Sequence, residues 1–101
     1  MTPITWAELR RGVEALDGAT LVTLGHGKPF RARLLPDAIE FIPQSSGRSR
    51  RHPRSVGERV LERFNQRGSF VPGHYKDLTA HASYIVALIH AIRAADSPTA
   101  T

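Results

Sequence analysis

The chain has 101 residues, enough for one domain around one core, and its 41% apolar content is what a folded chain needs and a disordered one lacks. It contains no cysteine, which excludes disulfides, thiolate metal sites and cysteine nucleophiles and fits a reducing compartment. Fourteen basic residues stand against nine acidic ones, a formal net charge of +5, and twelve of the fourteen are arginine, the residue suited to planar contacts with phosphate or carboxylate.

Met1 to Arg11 includes Glu8 and lacks the apolar run of a signal peptide, so a cytoplasmic location is expected. Thr5 is placed to cap a first helix, with Glu8 three residues on as capping-box partner and Ile4 and Leu9 as a hydrophobic staple. Trp6, Leu9, Val13 and Leu16 then recur at helical spacing, and Gly18 supplies a left-handed stop, which predicts a helix over 6–17.

From Thr20 the period falls to two. Leu21 to Leu24, a turn at Gly25-His26-Gly27-Lys28-Pro29, and Phe30, Ala32 and Leu34 alternating with Arg31 and Arg33 read as a hairpin. A second turn at Pro36-Asp37 leads into Ala38 to Ile42, completing a three-stranded antiparallel meander in which Glu40 can pair with Arg31 or Arg33. Pro43 is expected to end the sheet, and the polar, Ser/Gly/Arg-rich run Gln44 to Arg54, read as having no apolar residue to anchor it in a core, to form a surface loop.

Ser55 with Glu58 reads as the start of a second helix whose stripe is Val56, Val60, Leu61 and Phe64, stopped at Gly68. After a loop broken by Pro72-Gly73, a third helix is predicted from Asp77 or Thr79 to Ala95 through Tyr84, Ile85, Leu88, Ile89 and Ile92. Its apolar stretch falls short of the ~20 residues that span a bilayer, so no membrane partner is expected. The fold class expected is α+β: an N-terminal helix, the meander, then two C-terminal helices packed on one face, as a single domain over 1–95 with a tail over 96–101.

The charge is localised. Residues 44–67 hold seven arginines, Arg48, Arg50, Arg51, Arg54, Arg59, Arg63 and Arg67, against Glu58 and Glu62, a net +5 that equals the whole chain's. Such a segment attracts polyanions and supplies phosphate affinity through counterion release, so these seven are the candidate nucleic-acid-binding residues. The helix arginines Arg59 and Arg63 have a competing role as partners of Glu58 and Glu62, whereas no acid lies within the loop to neutralise Arg48, Arg50, Arg51 and Arg54.

No catalytic pattern is found, and no enzymatic activity is expected. The five histidines, His26, His52, His74, His81 and His90, lack metal-ligand spacing; His81 and His90 are nine positions apart, half a turn out of register on one helix. Gly25-His26-Gly27-Lys28 lacks the spacing and following helix of a phosphate loop, and no nucleophile elbow is present. No cofactor is expected. Phe70, His74, Tyr75 and Lys76 could together stack on a base and touch a phosphate, or Phe70 and Tyr75 could fill the gap between two helices.

The run Pro43-Gln44-Ser45-Ser46-Gly47-Arg48, followed by Arg63-Phe64-Asn65 and Ala82-Ser83-Tyr84, resembles segments of small bacterial proteins, a resemblance that implies no activity. The expectation is a small nucleic-acid-binding accessory or regulatory protein gripping phosphates with its arginines. The alternative is a protein-interaction module, homo-oligomeric or bound to an acidic macromolecule, using the Ala-rich third helix or a sheet edge.

Overall fold

The computed structural model of the chain describes residues 3–96, so the tail expected from Ser97 to Thr101 lies outside the described residues. Helix α1 (Trp6–Leu16) starts where the sequence indicates, with Thr5 Oγ1 accepting from the Glu8 N–H at 3.1 Å. The Glu8 carboxylate receives the Thr5 hydroxyl at 3.4 Å instead of the backbone N–H that a full capping box uses. The left-handed stop falls on Asp17, φ 48°, one residue before Gly18.

Four strands follow: β1 (Leu21–Val22), β2 (Pro29–Leu35), β3 (Ala38–Pro43) and β4 (Arg50–Pro53), antiparallel and adjacent in chain order. Two of the four, β2 and β3, follow the expected pattern, and the hairpin turn ahead of β2 closes on Thr23, whose Oγ1 accepts from the Lys28 N–H at 3.0 Å. The fourth strand corrects the expectation that Pro43 ends the sheet and that Gln44 to Arg54 is a surface loop. The chain reverses at Gly47, φ 66°, with its N–H donating to the Pro43 carbonyl, and Arg50–Pro53 then pairs back along β3. The inward position that aliphatic residues usually hold is taken by His52, only 2% exposed, which meets the Phe41 ring edge-on at 5.0 Å.

Helix α2 (Arg54–Arg67) begins directly after β4, so Ser55 lies inside it and does not cap it. Pro53 holds the extended geometry of a cap residue without a side-chain bond, and the Arg54 N–H is already committed to the Asp37 carbonyl at 3.0 Å. The helix ends at Gly68, φ 65°. A 3₁₀ turn (Pro72–Tyr75) precedes helix α3 (Ala82–Asp96), which starts later than Asp77 or Thr79 because both are engaged elsewhere: Asp77 by Arg63, Thr79 by His52 and the His81 N–H.

Phe30, Ala32, Ile39 and Phe41 on one face of the sheet share a single core with Leu9 and Val13 of α1, Val60, Leu61 and Phe64 of α2, and Ile85, Leu88 and Ile89 of α3. Ala82 and Ala87 are part of that core, so this side of α3 is used in packing within the chain. Trp6 is buried, as its position on α1 suggests, and lies against Gly57. Among the described residues no helix is long and apolar enough to cross a membrane.

Candidate functional site

Alternation along β4 divides the arginines that the sequence grouped together. In the register of the sheet Arg51 stands opposite Glu40, which stands opposite Arg33, and Arg31 stands opposite Ile42. These side chains occupy the face turned away from the core, where Arg31, Arg33 and Arg51 are exposed. Arg33 and Glu40 form the cross-strand ion pair anticipated from the sequence, with the arginine side chain 63% exposed and the glutamate 13%. One carboxylate therefore serves a row of two arginines, and Arg31 in the next row has no ion-pair partner among the described residues.

Arg48 lies exposed in the turn before β4, its N–H donating to Ser46 Oγ at 3.3 Å, and no described carboxylate pairs with its guanidinium. Arg50 belongs to the opposite, helix-facing side of the sheet, opposite Phe41, and is half-buried. Arg54 is not unneutralised: its Nε lies 3.4 Å from Glu58 across one helical turn, and its NH1 lies 4.0 Å from Asp37.

The helix arginines pair differently from the expectation. Arg63 makes a forked contact with Asp77, including NH2 to Oδ2 at 3.0 Å, and donates to the His74 carbonyl at 3.0 Å. Arg63 thus pairs with Asp77 and not with Glu62, and Glu58 is taken by Arg54. The guanidinium in turn holds the Asp77 carboxyl below its usual range, first through the hydrogen bond. Arg59 is exposed and without an ion-pair partner among the described residues, and Arg67 contributes to the positive field around Asp77. The seven arginines consequently do not form one patch.

Behind β4 lies a cluster that the sequence reading did not assemble: Arg50, His52, Thr79, His81 and Tyr84. His52 Nε2 is 3.0 Å from Thr79 Oγ1, and Thr79 Oγ1 accepts from the His81 N–H at 3.1 Å. The Thr79 hydroxyl, with one lone pair engaged by the His81 N–H, keeps both a proton and a second lone pair for the contact with Nε2. Burial, then the neighbouring His81, lowers the His52 pKa to about 4; the Arg50 backbone opposes this without reaching hydrogen-bond geometry at Nδ1. His81 is also lowered, by burial first and then by the Arg50 charge. Its ring is 6.3 Å from that of His52 and 6.4 Å from that of Tyr84, which stacks on Phe41 at 6.1 Å.

The aromatic segment before α3 is structural. Tyr75 is fully buried and donates its hydroxyl to the Ser69 carbonyl at 2.7 Å; Phe70 packs between the Phe64 and His90 rings at 5.2 and 5.1 Å. These two side chains fill the gap between α2 and α3. Among the described residues no group of three His, Asp or Glu side chains is placed to hold a metal ion.

Arg31 and Arg33 were missed as members of a charged face although their alternation with Ala32 and Leu34 was plain, because only a paired β4 brings a third arginine beside them. Comparison with protein-family models, curated proteins and solved structures finds no match, so the functional reading rests on this chain's own residues.

Proposed function

We propose that this protein is a small nucleic-acid-binding accessory or regulatory protein that contacts phosphates through arginine side chains. The observation that supports the reading best is the outward sheet face, where Arg31, Arg33 and Arg51 stand around Glu40, with Arg48 in the adjoining turn and Glu14 and Asp17 of the α1 end beside Arg31 and Arg33. Of the arginines chosen from sequence, Arg48, Arg51 and Arg59 are available to a phosphate. Arg54 and Arg63 are engaged with carboxylates, and recruiting them requires breaking those pairs. Arg67 remains exposed at the end of α2.

The sheet's aromatic residues, Phe30 and Phe41, face the core, so this surface supplies charge without a stacking platform. Binding through it depends on the phosphate backbone and not on base sequence. The test is a titration of single- and double-stranded DNA and RNA across a salt series. Three phosphate contacts predict a slope of about −2 to −3 in log affinity against log salt; binding that is absent or insensitive to salt overturns the reading.

A second reading, a protein-interaction or homo-oligomeric module in the cytoplasm, is favoured by Val22 on the short edge strand β1 and Leu24 in the turn after it, 53% and 41% exposed. Light scattering over a concentration series tests it, a constant monomer mass counting against the oligomer.

A further inference from the structure

Strand β2 is covered unequally on its two edges. β3 pairs with it from Phe30 to Leu35, whereas β1 reaches only Pro29 and Phe30, so the β1-side edge from Arg31 to Leu35 carries no strand. The Gln44 N–H donates to the Pro29 carbonyl, which makes Phe30 and Pro43 a non-hydrogen-bonded pair and fixes the alternation beyond it. Arg31, Arg33 and Leu35 turn their backbone groups to β3; Ala32 and Leu34 turn theirs to the uncovered edge. Ala32 is buried and Leu34 half-buried, yet no hydrogen bond among the described residues reaches the N–H or carbonyl of either. Unpaired main-chain groups at this depth are uncommon and call for a partner. Beside them runs a groove of about 480 Å³, its other wall formed by Val13, Glu14, Asp17 and Gly18 at the end of α1.

We propose that the Ala32–Leu34 edge of β2 is a docking site for an extended acidic segment of a partner protein, added to the sheet as a strand. The two residues together offer two donors and two acceptors at the spacing of a β-ladder. Side chains of the added strand alternate as those of β2 do. One beside Ala32 turns into the groove toward Val13, where a small apolar group fits; those beside Arg31 and Arg33 turn to the outward face. Arg33 already holds Glu40, while Arg31 has no ion-pair partner among the described residues, so an acidic residue beside Arg31 supplies the missing charge. Glu14 and Asp17 stand on the α1 wall and form no ion pair with either arginine, which favours negative charge on the segment's outward face alone.

A second copy fits this edge poorly. Pairing β2 with its own image sets Arg31 and Arg33 of one copy among those of the other, and like charges across a ladder are destabilising. The far edge of the sheet is blunted: the Arg54 N–H donates to the Asp37 carbonyl, which turns the backbone of Arg51 and Pro53 outward there, and proline has no N–H to give. The β2 edge shares Arg31 and Arg33 with the proposed nucleic-acid face but does not rest on phosphate binding.

The experiment is an NMR titration of the full chain with a short peptide of alternating glutamate and valine, blocked at both ends. Its controls are the backbone N-methylated analogue and a lysine–valine peptide. The first peptide is expected to shift the Ala32 and Leu34 amides and slow their hydrogen exchange, and the controls to leave both unmoved. Arg31→Glu is expected to weaken binding about fivefold, while Arg31→Lys keeps most of it. Equal binding of the N-methylated peptide, or no movement of these amides at millimolar peptide, overturns the site. Exchange there that slows in the free chain as its concentration rises assigns the edge to a second copy and likewise overturns it. The peptide comparison on the wild-type chain stands even where Arg31→Glu prevents folding. Peptide binding without nucleic-acid affinity counts against the phosphate reading alone, and the reverse counts against this site alone.

Discussion

His52 Nε2 and Thr79 Oγ1, 3.0 Å apart, join the last strand of the sheet to the turn that launches α3. The contact links two segments far apart in sequence through a ring that is almost wholly buried. Burial disfavours a charge on that ring, and no carboxylate among the described residues is paired with it.

That relationship predicts a stability loss on mild acidification. Burial lowers the folded-state pKa of His52 to about 4 against an ordinary 6.5, so between these values the unfolded chain binds the extra proton. Stability from this group is complete above pH 6.5, falls as pH drops towards 4, and is flat below that. The full effect is about 3 kcal/mol, and His81, shifted in the same direction, adds to the trend. Urea denaturation at pH 7.5, 5.5 and 4.0 measures it. His52→Gln is expected to lower stability at pH 7.5 while flattening the dependence; an unchanged slope in that variant assigns the acid sensitivity to other groups.

Close approach of α1 to α2 predicts that Gly57→Ala is destabilising although alanine is the better helix former by about 1 kcal/mol. A Cβ at position 57 falls 2.1 Å from Cζ3 of Trp6, whose buried indole is rigid and cannot bend away. Overpacking of this kind costs about 1–3 kcal/mol. Gly12→Ala brings a Cβ to 2.3 Å from Cδ1 and 2.5 Å from Cγ1 of Ile92, a half-buried side chain with freer rotamers than a buried indole, and is expected to cost less. Thermal unfolding ranks the two, and Trp6→Leu combined with Gly57→Ala is expected to recover part of the loss.

Periodic apolar segments and the β2–β3 pairing are legible in the sequence, and the pairing of β4 is not. Trp6, Leu9 and Val13 identify α1, and the alternation Phe30, Ala32, Leu34 identifies β2, because in each case a buried face repeats at the element's own period. β4 escaped notice because its four residues, Arg-Arg-His-Pro, bury a histidine whose partners, Phe41 and Thr79, come from other segments. The charges follow the same rule. Arg63 lies one residue from Glu62 and four from Arg59 in sequence, yet its partner is Asp77, fourteen positions away. Arg50 and Arg51 are neighbours that the strand sends to opposite faces.

The forked Arg63–Asp77 contact predicts a depressed Asp77 titration. The guanidinium stabilises the ionised carboxylate, so the group contributes stability above its ordinary pKa that is lost as pH falls through the lowered folded value. Carbon-detected NMR titration of the carboxylates is expected to show Asp77 below the ordinary aspartate range and Arg63→Gln to return it upward. Because both side chains are substantially solvated, 29% and 64% exposed, high salt is expected to narrow the difference.

Pairing also ranks the arginines for nucleic-acid binding. A phosphate that contacts Arg31 or Arg51 displaces solvent and counterions, whereas one that contacts Arg54 or Arg63 must also compete with Glu58 or Asp77. Arg31→Ala combined with Arg51→Ala is therefore expected to reduce the salt slope by about 2 and weaken binding at low salt, since every neutralised phosphate accounts for about 0.9 of the slope. Arg54→Ala combined with Arg63→Ala is expected to leave the slope within about 0.5 of the wild type. Circular dichroism on both double variants separates impaired binding from impaired folding. Arg31 and Arg51 are exposed strand positions on the open face, where substitution leaves the core intact, so a reversed ranking of the two slopes means that nucleic acid engages the helix α2 side and not the sheet.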